Sequence, residues 1–112
     1  ANINVPVILH ICGRLDSVIT EVAATGAAVI SVESVVDIPG VKRRLAEAGL
    51  RTLFAGTIDP LEVLRNGNPE DTEKAVKLAI AGGVDIVAPG CALTPDTPAD
   101  NVIRMVKAAR DG

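Results

Sequence analysis

Tryptophan and tyrosine are absent from this 112-residue chain, and Phe54 is its one aromatic residue. Without aromatic faces no stacking platform for bases can be built. Excess positive charge is lacking as well: 11 Lys and Arg stand against 14 Asp and Glu, for a net charge of −3. The only basic run, Lys42-Arg43-Arg44, reads as a solvated helix face, so nucleic acid is not an expected partner. No apolar run approaches the roughly 18 residues of a membrane span, and the N-terminal residues show no charged-then-apolar signal pattern. The expectation is a cytoplasmic protein with no membrane partner, and thiols rather than a disulfide for its 2 cysteines. No low-complexity segment or linker divides the chain, which reads as a single unit over residues 1–112.

Hydrophobic residues nevertheless make up 48% of the chain, so Val, Ile, Leu and Ala must fill the core, as they do in buried parallel sheets. Short β-branched or aliphatic runs at 5–11, 27–33, 51–56 and 84–90, each bounded by glycine or proline, read as strands. Helical patterns lie between them. The first is expected over 17–25 with Asp16 as its N-cap and Val18, Ile19, Val22 and Ala23 on one face. The second starts near Pro39 and turns Val41, Leu45 and Ala48 inward; the third is capped by Asn68, opened by Pro69 and stopped by Gly82-Gly83. A short turn, "PLEVLRNG", precedes it, and a last helix follows Thr97-Pro98. Strand and helix alternate with no hairpin signal, which calls for an α/β fold with a parallel sheet. Either a small open sheet or four βα units of a (β/α)8 barrel would satisfy the pattern; the GxGxxG fingerprint of a dinucleotide site is missing.

In both architectures ligands bind at the carboxyl ends of the strands. The first strand ends in "ILHICG", where His10 and Cys12, two positions apart, share a face. The second delivers Glu33, the third Asp59 in "GTIDP", and the fourth Cys91 in "APGC". The chain's only histidine and both its cysteines thus fall at one edge of one sheet. One imidazole and two thiolates are three ligands of a tetrahedral zinc site with an open fourth position. The alternative is a pair of core thiols beside a hydrogen-bonded core histidine, with Glu33 and Asp59 as caps or turn residues.

The stretches "ILHICG", "ISVES", "FAGTIDPLEVLRNGNPED" and "DIVAPGCALTPDTPADNVIRMVKAAR" together resemble the C-terminal half of the uroporphyrinogen decarboxylase superfamily, in its methylcobamide:coenzyme M methyltransferase branch. The H-x-C motif paired with a distant "GC" is the most specific element. The resemblance implies four βα units forming half of a (β/α)8 TIM barrel, with Zn2+ held by His10, Cys12 and Cys91. It implies methyl transfer from a methylcobamide, carried on a partner corrinoid protein, to a small thiol such as coenzyme M. Glu33 becomes a candidate fourth ligand or a partner of His10, and Asp59 a candidate for orienting substrate or corrinoid. A metal-free carboxy-lyase activity and a catalytically silent half-barrel that only binds metal are the alternatives. Two positions depart from the family pattern: Arg14 and Thr57 stand where asparagine is common. A half-barrel also leaves open edges and an open inner face, expected from Val7, Leu9, Ile30, Val32, Leu53 and Val87. Its expected cover is a homodimer or an N-terminal half-barrel.

Overall fold

A computed structural model describes residues 3–112. Its elements run β1 (Ile8–His10), a 3-10 turn (Asp16–Val18), α1 (Ile19–Ala23), β2 (Val29–Val32), α2 (Ile38–Glu47), β3 (Leu53–Ile58), a π-helical turn (Pro60–Arg65), α3 (Pro69–Ala81), β4 (Ile86–Pro89) and α4 (Ala99–Asp111). The strands form one parallel sheet in the order β1-β2-β3-β4. Sequential order without a reversal is what successive barrel units produce, whereas a doubly wound sheet reverses at a switch point. The fold is therefore α/β, four βα units resembling half of a (β/α)8 barrel.

The starts of α2 and α3 follow side-chain chemistry closely. Asn68 accepts from the Asp71 N–H at 2.8 Å while Asp71 accepts from the Asn68 N–H at 3.1 Å, a reciprocal cap with Pro69 at the first helical position. Asp37 caps α2 through the Gly40 N–H at 3.2 Å, and Pro39 lies in its first turn. Asp16, in contrast, caps nothing. Its Oδ2 accepts the Asp37 N–H at 2.9 Å and its backbone carbonyl accepts from Arg44, so it ties the first loop to α2. The first helix accordingly begins as a 3-10 turn and is shorter than expected. Ala48, expected inward, is the exposed C-cap of α2.

Strand limits also shift. Pro6 has no N–H for a ladder, and pairing of β1 starts only at Ile8. Gly56 does not end β3: with φ of +111° it kinks the strand, which stays paired with β4 through Ile58↔Pro89. The "PLEVLR" segment is a π-helical turn, with Leu64 N–H bonded to the Asp59 carbonyl at 3.1 Å and Asn66 N–H to the Leu61 carbonyl at 2.9 Å.

All four main helices pack on one face of the sheet. Ile30, Val32 and Phe54 join Leu15, Ile19, Ala23, Val41 and Leu45 in one core cluster, and Ile58 joins Leu64, Val76, Met105 and Ala108 in a second, with Val87 packed against it. Of the expected inner face, Leu53 is on the open side as expected, whereas Ile30, Val32 and Val87 are one residue out of register and face the helices. Ile30 and Val32 lie under the helices at 0% exposure, and the open face carries Ile8 (63% exposed), Leu53 (47%) and Ile86 (43%). The period of two requires this: residues on the side of His10 are Ile8 and Cys12, not Leu9. Among the described residues no helix is long and apolar enough to cross a membrane.

Candidate metal centre

The open face ends, at the carboxyl edge of the sheet, in three converging donors. Cys12 follows β1 and Cys91 follows β4, the two outer strands of the sheet, yet their Sγ atoms are 3.7 Å apart. Two glycines allow this. Gly90 bonds through its N–H to the Ile58 carbonyl at 2.8 Å and passes so close to β2 that a Cβ on it would lie 3.0 Å from the Glu33 Cα. That approach carries Cys91 inward over the sheet end. Gly13, at φ of +88°, turns the chain sharply after Cys12, and its N–H donates to Glu33 Oε2.

His10 completes the group. Its Nε2 is 3.5 Å from Cys12 Sγ, and its Nδ1 is 3.0 Å from Ser31 Oγ on the paired position of β2. His10, Cys12 and Cys91 form a group whose ligand atoms all lie within 4.8 Å of one another. Two of these spacings, 3.5 Å for His10 Nε2 to Cys12 Sγ and 3.7 Å for Cys12 Sγ to Cys91 Sγ, match edges of a tetrahedral site. With zinc about 2.3 Å from each sulfur and about 2.0–2.1 Å from nitrogen, tetrahedral edges measure about 3.8 Å for S···S and about 3.6 Å for N···S. The donors, one borderline imidazole and two soft thiols, are also those zinc selects.

His10 and Cys12 are exposed and Cys91 is partly so. The alternative of core thiols beside a core histidine does not survive that exposure. The Cys12 thiol titrates above its ordinary range, first because of its hydrogen bond with Cys91 and the charge of that thiol, then through desolvation and the nearby Glu33 carboxylate. A bound cation would reverse that direction by favouring the thiolate.

Glu33 and Asp59 lie at the same edge but outside the three-donor group. Glu33 is tied to the Gly13 backbone; the side chain bonded to His10 is that of Ser31. Asp59 Oδ1 accepts the N–H groups of Leu61 and Glu62, both at 2.9 Å, capping the π-helical turn, while its Oδ2 lies 3.5 Å from Ser34 Oγ. Ser31 escaped the sequence argument because serine carries no metal-ligand signal. Extending the strand register from His10 to β2 would have found it.

Two of the larger grooves lie elsewhere. One of about 480 Å3 is bordered by Lys42, Arg51 and Asp85, and one of about 570 Å3 runs along α4 beside Ile103 and Val106. The metal-ligand group instead sits on an unroofed surface.

The uroporphyrinogen decarboxylase (URO-D) family matches residues 1–112. The methylcobamide:CoM methyltransferase MtbA of Methanosarcina mazei is 36% identical over 109 residues, 97% of this chain and 31% of that protein. The methylcobamide:CoM methyltransferase MtaA of Methanosarcina barkeri is 33% identical over 111 residues, 99% of this chain and 32% of that protein. A solved structure of a methyltransferase from Methanosarcina mazei superposes with a TM-score of 0.86 at 30% identity, covering 96% of this chain and 32% of the other. The chain thus spans about a third of the length of the relatives it matches. It belongs to the uroporphyrinogen decarboxylase family, on the side that resembles the methylcobamide:CoM methyltransferases.

Proposed function

We propose that this chain carries the metal-binding part of an enzyme that transfers a methyl group from a methylcobamide, held on a partner corrinoid protein, to a small thiol such as coenzyme M, with Zn2+ as cofactor. The observation that carries the reading is the convergence of one imidazole and two sulfurs within 4.8 Å of one another at the carboxyl edge of the sheet, with both distances to Cys12 Sγ at tetrahedral-edge length. The relatives' names supply the reaction.

His10 through Nε2, Cys12 and Cys91 would hold the ion and leave a fourth position open. Zinc bound there supplies the Lewis acidity that keeps a thiol deprotonated at neutral pH. The two cysteine thiolates bring two negative charges, so a sulfur entering the site stays electron-rich. A corrinoid would supply the methyl group, its C–Co bonding pair staying with cobalt, while His10, Cys12 and Cys91 would hold the ion beside the accepting sulfur. Glu33, held by the Gly13 N–H through Oε2, is assigned to the fourth position when substrate is absent. Asp59, at the rim, is assigned to orienting substrate or corrinoid. The open sheet face is assigned to a second barrel-closing element, a further copy of the chain or an N-terminal half-barrel.

Metal analysis tests the site. About one equivalent of zinc is expected in the native chain and a large loss in His10→Ala, Cys12→Ala and Cys91→Ala; undiminished zinc in all three removes the assignment. Transfer from methylcobalamin to coenzyme M, followed by the loss of methyl-cobalt absorbance, then tests the reaction, with chelator-treated protein expected to be inert. The exposed Ile8, Leu53 and Ile86 favour one second reading, a half-barrel that binds metal without turnover. Zinc binding with no methyl transfer from the isolated chain would support it. Metal-free decarboxylation gives the donor triad no role.

A further inference from the structure

We propose that Ser31 is a positioning residue for the metal centre: its hydroxyl accepts the Nδ1–H of His10 and so presents the Nε2 lone pair to the space between His10, Cys12 and Cys91. The inference rests on the zinc reading above and assigns a role to a residue outside the ligand set.

Three observations carry it. Ser31 is the register partner of His10 across the β1-β2 ladder, so the backbone holds the two side chains side by side on the open face. Ser31 Oγ lies 3.0 Å from His10 Nδ1, ordinary hydrogen-bond range, whereas His10 Nε2 stands 3.5 Å from Cys12 Sγ, the length of a tetrahedral N···S edge. One ring nitrogen is thus committed to the protein and the other to the donor group. A neutral imidazole has one N–H, and a metal needs the other nitrogen bare. Placing the proton on Nδ1 satisfies both demands.

The choice of partner has a chemical consequence. Ligating histidines are commonly held by a carboxylate or a backbone carbonyl, and a carboxylate makes the ring a stronger donor and adds charge. A hydroxyl orients the ring and adds none. The partner of His10 thus brings no charge of its own to the centre, with Glu33 engaged at Gly13 rather than at His10. Because a hydroxyl can also donate, Ser31 alone does not force the tautomer; the cation at Nε2 completes the selection.

The test uses the full chain and Ser31→Ala and Ser31→Thr. Zinc affinity, measured by competition with a chromophoric chelator, is expected to fall about 10- to 100-fold in Ser31→Ala and to be largely restored in Ser31→Thr, which returns the hydroxyl. The unfolding temperature of the zinc-free protein is expected to be the same in all three, since an alanine fits beside Ala55 on the same ladder. Nitrogen-15 NMR of the zinc-loaded native chain should show His10 protonated at Nδ1 and ligated through Nε2. Native zinc binding beside an unimpaired Ser31→Ala overturns this proposal alone, as does ligation through Nδ1. A native chain that retains no zinc overturns the metal reading and this proposal together.

Discussion

Thr57 is the one described non-glycine residue with positive φ, at +69°, and its Oγ1 is buried without a hydrogen-bond partner. For a β-branched residue that conformation is strained by about 1–3 kcal/mol, while asparagine enters the left-handed region routinely. Exchanging threonine for asparagine should recover most of the strain. Against this stands the loss of a half-buried methyl, about 0.5 kcal/mol from roughly 0.8 per fully buried carbon. The amide has room, since Thr57 borders a groove of about 320 Å3 together with Ser34 and Asp37. Thr57→Asn is therefore expected to stabilise the fold by about 1 kcal/mol, or about 4 °C in Tm for a domain of this size. Thr57→Gly should also stabilise, less the entropy that glycine adds to the unfolded chain. Thr57→Val keeps the branch and deletes the hydroxyl, isolating the share of the orphaned Oγ1. Urea and thermal unfolding of the four proteins decide it. If Thr57→Asn and Thr57→Gly are both no more stable than the native chain, positive φ is not where strain resides.

Acid should unfold the protein partly through Asp85. Burial pushes its carboxyl up, but the Phe54 N–H at 2.9 Å and Lys42 at 3.1 Å outweigh that and hold it below its ordinary 3.8. A lowered folded value means the stabilisation is present above 3.8 and lost as pH falls through the folded value. Asp85→Asn should weaken the protein at neutral pH and flatten its acid slope, and an unchanged slope in urea titrations at several pH values would contradict this. The open face predicts self-association of the isolated chain: sedimentation equilibrium should show dimers that Leu53→Lys weakens. A monomer at all concentrations with cooperative unfolding would end the proposal that a second copy of the chain closes the barrel.

The features legible in the sequence were those set by local chemistry. Asn68-Pro69 announced α3, and the H-x-C spacing announced a shared face, because cap and pleat geometry act over two or three residues. Where a residue's partner lay across the fold, local rules misled. Asp16 looks like a cap, yet Asp37 and Arg44, distant in sequence, claim it. Ile30 and Val32 fit either face of a strand, and only the register running from His10 through Ser31 assigns them to the helices. The convergence of Cys12 on Cys91 was expected at the level of an edge; the close pass of Gly90 over Glu33 that brings it within ångströms is a tertiary fact.

The two thiols of the proposed metal centre, Cys12 and Cys91, are separated along the chain by 79 positions. On a ribosome adding about 5–20 residues per second, His10 and Cys12 exist for about 4–16 seconds before Cys91 is made. During that interval the nascent chain would offer two of the three proposed donors. Loading at this site would therefore wait until β4 has been synthesised and docked, and zinc retention would report a sheet assembled from its first strand to its last.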